Sequence, residues 1–132
     1  MLGELEQEGG AVICDLEAGV GSLLRMSDGH VDLTLVIVEP TVKSIEAATR
    51  AAAISAKHSK VIVVANRVRD DSDTELIRAA FVDHEIHVVP FDPQIRRADR
   101  DGTAPIEFGN ESPGLAAISA LAEKVAGSKA PA

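Results

Sequence analysis

The sequence predicts an α/β fold in which parallel strands form one sheet with helices on both faces. Apolar runs rich in Val, Ile and Leu occupy residues 11–14, 31–38, 60–66 and 85–89, and continuous runs of this kind are typical of strands buried on both faces. Aromatic residues make up only 2% of the chain. The core must therefore consist of aliphatic residues and alanine, which favours helices packed on a partial, doubly wound sheet of about four strands.

The first strand is predicted at residues 11–14, with a sharp turn at Gly19 after it. A short helix over residues 22–26 is expected to follow. The strand at residues 31–38 consists almost entirely of β-branched residues and Leu, and Pro40 ends it.

A helix is predicted to begin at Thr41 or Ser44, either of which can cap it, and to run to about Lys57. The strand at residues 60–66 follows after a short turn. Strand, helix and strand in this order predict a right-handed crossover between parallel strands. The residues expected near the sheet-facing side of the helix are Ile45, Ala48, Ala52 and Ser55.

The next helix is predicted to open with a capping box formed by Ser72 and Glu75. Its expected inward residues are Leu76, Ile77, Ala80 and Phe81. After the strand at residues 85–89, residues 91–110 are rich in charge, Gly and Pro, and they predict a long loop with one helical turn near residues 95–98. Ser112 and Pro113 supply a cap and a first-turn proline for a final helix over about residues 115–125.

Length and charge limit the functions that are open to the chain. Its 132 residues, 45% of them hydrophobic, can bury one core, so we expect a single domain over residues 1–126 and a disordered tail over residues 127–132. The net charge of -8 and the absence of a basic stripe argue against a nucleic-acid partner. No apolar run is long enough for a membrane span. The single cysteine and the lack of a signal-peptide pattern predict a cytoplasmic location.

Two acidic residues follow the first predicted strand. Carboxylates such as Asp15 and Glu17, at the carboxyl end of a parallel strand and next to Gly19, suit a magnesium-nucleotide site. The alternative is that Asp15 caps the short helix that follows it.

Other patterns are less specific. Gly19 and Gly21 resemble the start of a dinucleotide-binding turn, but Leu24 occupies the place of its third glycine. The sequence contains no G-x-x-x-x-G-K-[ST] phosphate-binding loop. His84 and His87 flank a strand rather than share a helix face, which argues against a metal site. Cys14 has no cysteine partner and is expected to be a small buried hydrophobic residue.

Asn66 ends a predicted strand, and its amide offers a paired donor and acceptor that match a purine edge. The alternative is a turn-forming asparagine.

Four motifs follow one another along the chain: Asp15-Leu16-Glu17-Ala18-Gly19, Val38-Glu39-Pro40, Asn66-Arg67-Val68-Arg69 and Val89-Pro90-Phe91-Asp92. In this order they resemble the C-terminal half of the MinD/ParA-type ATPases, most closely the branch of the nickel-insertion accessory ATPases of carbon monoxide dehydrogenase. The resemblance covers about residues 11–106.

The resemblance implies a P-loop NTPase-like fold that binds ATP and magnesium. Asp15 matches the Walker B aspartate that holds magnesium through water, with Glu17 beside it. The turn at Ala18 and Gly19 matches the switch that senses the terminal phosphate.

The same resemblance assigns cofactor-binding residues farther along the chain. Asn66, followed by Arg67, matches the asparagine that reads the adenine edge. Pro90, Phe91 and Asp92 match the loop that closes over the base. Such proteins work as nucleotide-dependent dimers, so a homodimer, a complementing N-terminal chain and a metalloenzyme client are the implied partners.

The family's phosphate-binding loop and catalytic lysines lie N-terminal to the Walker B strand, whereas only ten residues precede Ala11 here. We therefore expect a truncated or split ATP-binding module that does not hydrolyse ATP alone, because that loop supplies most of the stabilisation of the transferred phosphoryl group. The alternative is a non-catalytic interaction or regulatory module with a vestigial nucleotide site. In the family another strand separates the strands that correspond to residues 11–14 and 31–38, so an open sheet edge is also expected.

Overall fold

The computed structural model describes residues 10–16, 21, 25 and 31–128. From residue 33 strands and helices alternate as far as the third strand, and the rest of the described chain is helical apart from its connections. The elements are β1 (Leu33–Val38), α1 (Val42–Ser55), β2 (Lys60–Val68), α2 (Asp71–Ala80), β3 (Glu85–Pro90), α3 (Pro93–Asp101), a 3-10 helix (Pro105–Glu111) and α4 (Pro113–Gly127). Among the residues described, no helix combines the length and apolar character that a membrane crossing requires.

The three strands form one parallel sheet in the order β1-β2-β3. β1 pairs with β2 from Leu33 opposite Lys60 to Val38 opposite Ala65, and β2 pairs with β3 on its other side. The predicted α/β class with a partial, P-loop NTPase-like parallel sheet is confirmed, with three strands in the described part of the chain instead of about four.

The prediction of a buried strand at residues 11–14 is wrong. Residues 10–16 have no regular secondary structure and are exposed, with Ile13 85% exposed. Cys14, expected to be buried, is exposed as well. Strand propensity alone does not hold a strand, because its stability depends on hydrogen bonds to a neighbouring strand and on cover for its side chains.

Helices α1 and α2 cover one face of the sheet. The buried cluster between them and the strands, which we call the α1/α2 core, consists of Val36, Val38, Ala48, Ala52, Val63, Ala65, Val68, Ile77 and Phe81. Helix α4 covers the other face and packs mainly against β3, with Leu121 buried against Ile62, Val64 and Val89. Helices therefore lie on both faces, as predicted.

The first helix has one of its two predicted caps. The side-chain oxygen of Thr41 accepts a hydrogen bond from the backbone N–H of Ser44 at 3.2 Å, so the helix begins after Thr41. Ala48, Ala52 and Ser55 are buried, and Ile45 packs half-buried against the same core. The predicted inward face is confirmed.

The predicted capping box of α2 is wrong. The cap is Asp70, whose carboxylate accepts a hydrogen bond from the backbone N–H of Asp73 at 3.0 Å. The hydroxyl of Ser72 instead donates to the same carboxylate. Aspartate is among the best N-cap residues, and it begins the helix two residues earlier than the capping box would.

Only part of the predicted inward face of α2 is buried. Ile77 and Phe81, four residues apart, lie in the core. Leu76 is 48% exposed, and Ala80 is exposed. Positions i and i+4 share one helix face, so a helix whose core contacts centre on Ile77 and Phe81 turns their immediate neighbours toward solvent.

The long loop predicted for residues 91–110 instead contains α3 and the 3-10 helix. Asp92 caps α3, Pro93 occupies its first turn, and Gly102 ends it in the left-handed conformation at φ 73°. The one helical turn predicted near residues 95–98 lies inside α3, and the rest of the helix was not predicted, because Ala98 is its one buried residue.

The last helix is capped by Ser112 and has Pro113 in its first turn, as predicted. It extends to Gly127, which was expected to begin a disordered tail. Residues 129–132 lie outside the described residues, and so does most of the short helix predicted at residues 22–26.

Candidate functional site

The carboxyl ends of the three strands lie at one edge of the sheet, where open α/β sheets bind their ligands. Glu39 follows β1, Asn66 and Arg67 lie near the end of β2, and Phe91 follows β3. We call this region the carboxyl edge. The structure thus brings together the candidate residues of three of the four motifs.

Asp15 lies in the exposed stretch at residues 10–16. Glu17, Ala18 and Gly19 lie outside the described residues. In the ranges that are described, no three His, Cys, Asp or Glu residues form a group that could hold a metal ion.

β2 is irregular where it reaches the carboxyl edge. Ala65 pairs with Val88 and Val68 pairs with Pro90, so Asn66 and Arg67 together lie opposite one residue of β3. This two-against-one arrangement is a β-bulge, a feature often found beside active sites. Arg67 has a φ of +57° and is the one non-glycine residue with a positive φ in the described part of the chain.

The bulge changes which face of the sheet the following side chain occupies. Val63 and Ala65 belong to the α1/α2 core, and strict alternation would place Val68 on the opposite face. Val68 nevertheless lies in the same core and is only 7% exposed. The extra residue in β2 restores Val68 to that side.

Asn66 carries the uncommitted polar group at this edge. Its residue is half-buried, and the last pair of the β1 ladder is Val38 with Ala65, one residue before it. Its side-chain amide forms no hydrogen bond with the described part of the chain. A donor and an acceptor therefore remain available for a ligand.

Arg67 bridges the ends of β1 and β2. Its Nη1 lies 3.3 Å from Oε1 of Glu39, and the two side chains are 66% and 42% exposed. Ion pairs this exposed contribute little to stability. The backbone N–H of Glu39 donates to the hydroxyl of Ser44 at 2.8 Å, which ties the end of β1 to the first turn of α1.

Phe91 continues the same edge on the β3 side. Its backbone N–H donates to the carbonyl of Val68 at 2.8 Å. The guanidinium carbon of Arg69 lies 4.8 Å from the centre of its ring, within the range of a cation–π contact. Both residues belong to the motifs recognised in the sequence, but the sequence holds no local signal that predicts this stacking.

Asp92 is committed to protein donors. Its Oδ1 accepts from the backbone N–H of Gln94 at 2.9 Å, and its Oδ2 accepts from the backbone N–H of Gly114 at 3.0 Å and from the hydroxyl of Ser112. The hydrogen bond from Ser112 is the main cause that lowers the pKa of Asp92, and the backbone N–H groups add to it against the opposing effect of burial. Asp92 thus anchors the end of β3 to the start of α4.

Gly114 makes that anchor possible. A Cβ at this position would lie 2.7 Å from Cδ1 of Ile95 and 2.9 Å from Cβ of Asp92. The cap at Ser112 is predictable from the sequence, but its link to Asp92 is not, because the two residues are twenty positions apart and no local pattern joins them.

His87 has a structural partner. Its Nε2 lies 2.7 Å from the carbonyl oxygen of Ala117, so the ring connects β3 to α4. The residue is 9% exposed. This contact accounts for His87 without a metal ion.

No model of a known protein family matches the chain. An uncharacterized ATP-binding protein of Methanocaldococcus jannaschii is 32% identical to it over 123 residues, a match that covers 89% of this chain and 47% of that protein. The chain therefore spans about half the length of this relative, and it is similar to a stretch of a protein named for binding ATP.

Proposed function

We propose that the chain is an ATP-binding module of MinD/ParA type in which the carboxyl edge binds the adenine. One observation carries the proposal: Asn66 offers a half-buried, uncommitted amide on a bulge at the edge where α/β sheets bind ligands. The similarity to an ATP-binding protein of Methanocaldococcus jannaschii supports the choice of nucleotide.

The chemistry of an amide suits adenine. Adenine presents an exocyclic amino donor beside a ring-nitrogen acceptor, and an asparagine amide pairs with both. On its N7 edge guanine presents a carbonyl oxygen in place of that amino group, so both of its groups there are acceptors and the amide oxygen finds no donor. Pro90, Phe91 and the stacked Arg69 lie beside Asn66 in the proposed site, and aromatic and guanidinium planes stack well on bases.

Binding of the phosphates of ATP requires groups that the carboxyl edge does not provide. Arg67 and Arg69 are cations near it, but the described residues contain no glycine-rich phosphate loop. We assign magnesium to Asp15, through water, with Glu17 beside it, and the switch to Ala18 and Gly19, on the resemblance of those motifs. In this proposal a complementing chain supplies the phosphate loop, because a second copy of the module lacks that loop as well, and the module alone does not hydrolyse ATP.

The finer assignment follows from the same resemblance. We propose that the module, a single domain over residues 1–126, acts in the cytoplasm with a metalloenzyme client, as do the accessory ATPases of carbon monoxide dehydrogenase maturation that its motifs resemble.

A binding titration tests the proposal. The folded chain is titrated with a fluorescent ATP analogue, with and without magnesium, alongside Asn66→Ala and the control Glu85→Ala at the opposite edge of the sheet. We expect saturable binding that is strengthened by magnesium and weakened about 5- to 150-fold in Asn66→Ala, since a bidentate amide–base pair contributes roughly 1–3 kcal/mol. Equal binding by Asn66→Ala and wild type, or no binding by a folded chain, would contradict the proposal.

A second candidate function is an interaction or regulatory module with a vestigial nucleotide site. It is favoured by the outer edge of β1, which pairs with no strand in the described part of the chain, because open strand edges recruit other chains. Under this alternative Asp15→Ala leaves every activity intact, whereas the ATP-binding proposal predicts loss of magnesium-dependent binding.

A further inference from the structure

We propose that Arg67 is a positioning residue whose left-handed backbone, rather than its charge, holds the amide of Asn66 at the carboxyl edge. This inference rests on the proposed function of Asn66. Its basis is the coincidence of two irregularities at neighbouring residues: Asn66 lies in the bulge of β2 against β3, one residue beyond the last pair of the β1 ladder, and Arg67 has a positive φ.

The geometry explains what the left-handed residue does. Between the pairs of Ala65 with Val88 and Val68 with Pro90, β2 must accommodate one residue more than β3. A left-handed residue absorbs that extra length within one peptide unit and lets regular pairing resume. Asn66 is the other residue of the bulge, and its side-chain amide has no partner in the described part of the chain.

The charge of Arg67 does not account for its backbone. Residues with a side chain rarely adopt a positive φ, and glycine would adopt it with less strain. The ion pair of Arg67 with Glu39 does not offset this strain, because it is mostly exposed and exposed ion pairs contribute little to stability. The conformation is instead held from its C-terminal side, where Val68 is buried and its carbonyl accepts the N–H of Phe91 at 2.8 Å.

Burial of Val68 is a purely structural role for the same bulge. The two roles differ in their consequences. A structural bulge affects stability alone, whereas a positioning bulge also affects how well the site distinguishes adenine from guanine.

Two variants distinguish the effect of the backbone conformation of Arg67 from the effect of its charge. Arg67→Gly and Arg67→Val both remove the guanidinium, but glycine accepts the left-handed region freely and β-branched valine resists it. Affinities for ATP and GTP are measured for each by displacement of the fluorescent analogue. We expect Arg67→Gly to lower the affinities for ATP and GTP by the same factor, so that their ratio stays that of the wild type. Arg67→Val should lower the ratio of ATP to GTP affinity by about fivefold or more, toward one.

Glu39→Gln is the charge control, because it breaks the ion pair without changing the residue in the bulge. It should keep the wild-type ratio. A lowered ratio in Glu39→Gln, or an unchanged ratio in a folded Arg67→Val, would overturn the inference.

Readouts without nucleotide keep this test apart from that of the proposed function. If wild type binds neither nucleotide, ATP binding fails, but the side-chain NH2 resonances of Asn66 still report its position. They should be retained in Arg67→Gly and shifted in Arg67→Val. If Arg67→Val does not fold, Arg67→Ala replaces it, and a midpoint of thermal unfolding at or above that of Arg67→Gly would refute the left-handed requirement.

Discussion

Asp92 connects the site to the rest of the molecule through a single carboxylate. Three donors from α3 and the start of α4 reach it, those of Gln94, Ser112 and Gly114. The resemblance suggested a direct role at the base. Its hydrogen bonds favour an indirect one, in which it fixes where Pro90 and Phe91 lie.

The lowered pKa of Asp92 predicts a pH dependence of stability. A carboxyl group whose pKa is lower in the folded state stabilises the protein above its unfolded-state pKa of about 3.9 and loses that contribution as the pH falls through the folded-state value. We therefore expect the midpoint of thermal unfolding to fall more steeply from pH 5 to pH 3 in wild type than in Asp92→Asn. Asp70, whose pKa is also lowered, chiefly by Ser72, retains its own effect in that variant. Parallel curves for the two proteins would disprove the role of Asp92.

The close packing around Gly114 leads to a second prediction. Gly114→Ala should destabilise the protein by about 1–3 kcal/mol, because the new Cβ would lie 2.7 Å from Cδ1 of Ile95. Gly127→Ala, near the end of the same helix with no atom within 4 Å of the added Cβ, is the matched control and should be nearly neutral. Urea unfolding of both variants measures the difference. Similar losses would show that the contact at Gly114 relaxes freely.

Two variants at the start of α2 test which side chain caps this helix. Asp70→Ala should lower the midpoint of thermal unfolding, because it removes the side chain that accepts from the backbone N–H of Asp73. Glu75→Ala, which removes the second member of the capping box predicted from sequence, should change the midpoint little because Glu75 is exposed. A larger drop in the midpoint with Glu75→Ala than with Asp70→Ala would show that the capping box of Ser72 and Glu75 stabilises the start of α2.

The elements show what sequence patterns can and cannot predict. The strands near residues 60 and 85 were predicted closely because their apolar runs are buried by neighbours within the described chain. The run at residues 11–14 is equally apolar, but without strand neighbours it stays exposed. Only one turn of α3, near residues 95–98, was predicted, because Ala98 is its single buried residue, although the cap at Asp92 and the end at Gly102 are clear local signals.

The open edge of β1 predicts that the chain associates with other copies of itself. Ile37 of β1 is 54% exposed and lies beside that edge. Ile37→Lys should weaken self-association measured by sedimentation velocity, because an edge lysine opposes strand addition. Val82→Lys, at a 78% exposed position in the turn before β3, is the control and should leave association unchanged. The same sedimentation behaviour in wild type and both variants would count against the edge as an interface.

The candidate site was predictable only in part. Parallel strands imply that Asn66 and Phe91 share one sheet edge, so their proximity followed from the fold class. The bulge did not, because two residues opposite one can be recognised only when the pairing of β2 with β3 is known. The contacts of Asp92 with Ser112 and Gly114 depend likewise on long-range packing.

The central claim is that ATP binds at the carboxyl edge, and an amide NMR titration of the folded chain with magnesium-ATP tests it most directly. Binding there should shift the resonances of residues 66–69 and 90–92 and leave those near the opposite edge, such as Lys60 and Lys124, unchanged. No shifts at all, or shifts confined to the opposite edge, would contradict the claim.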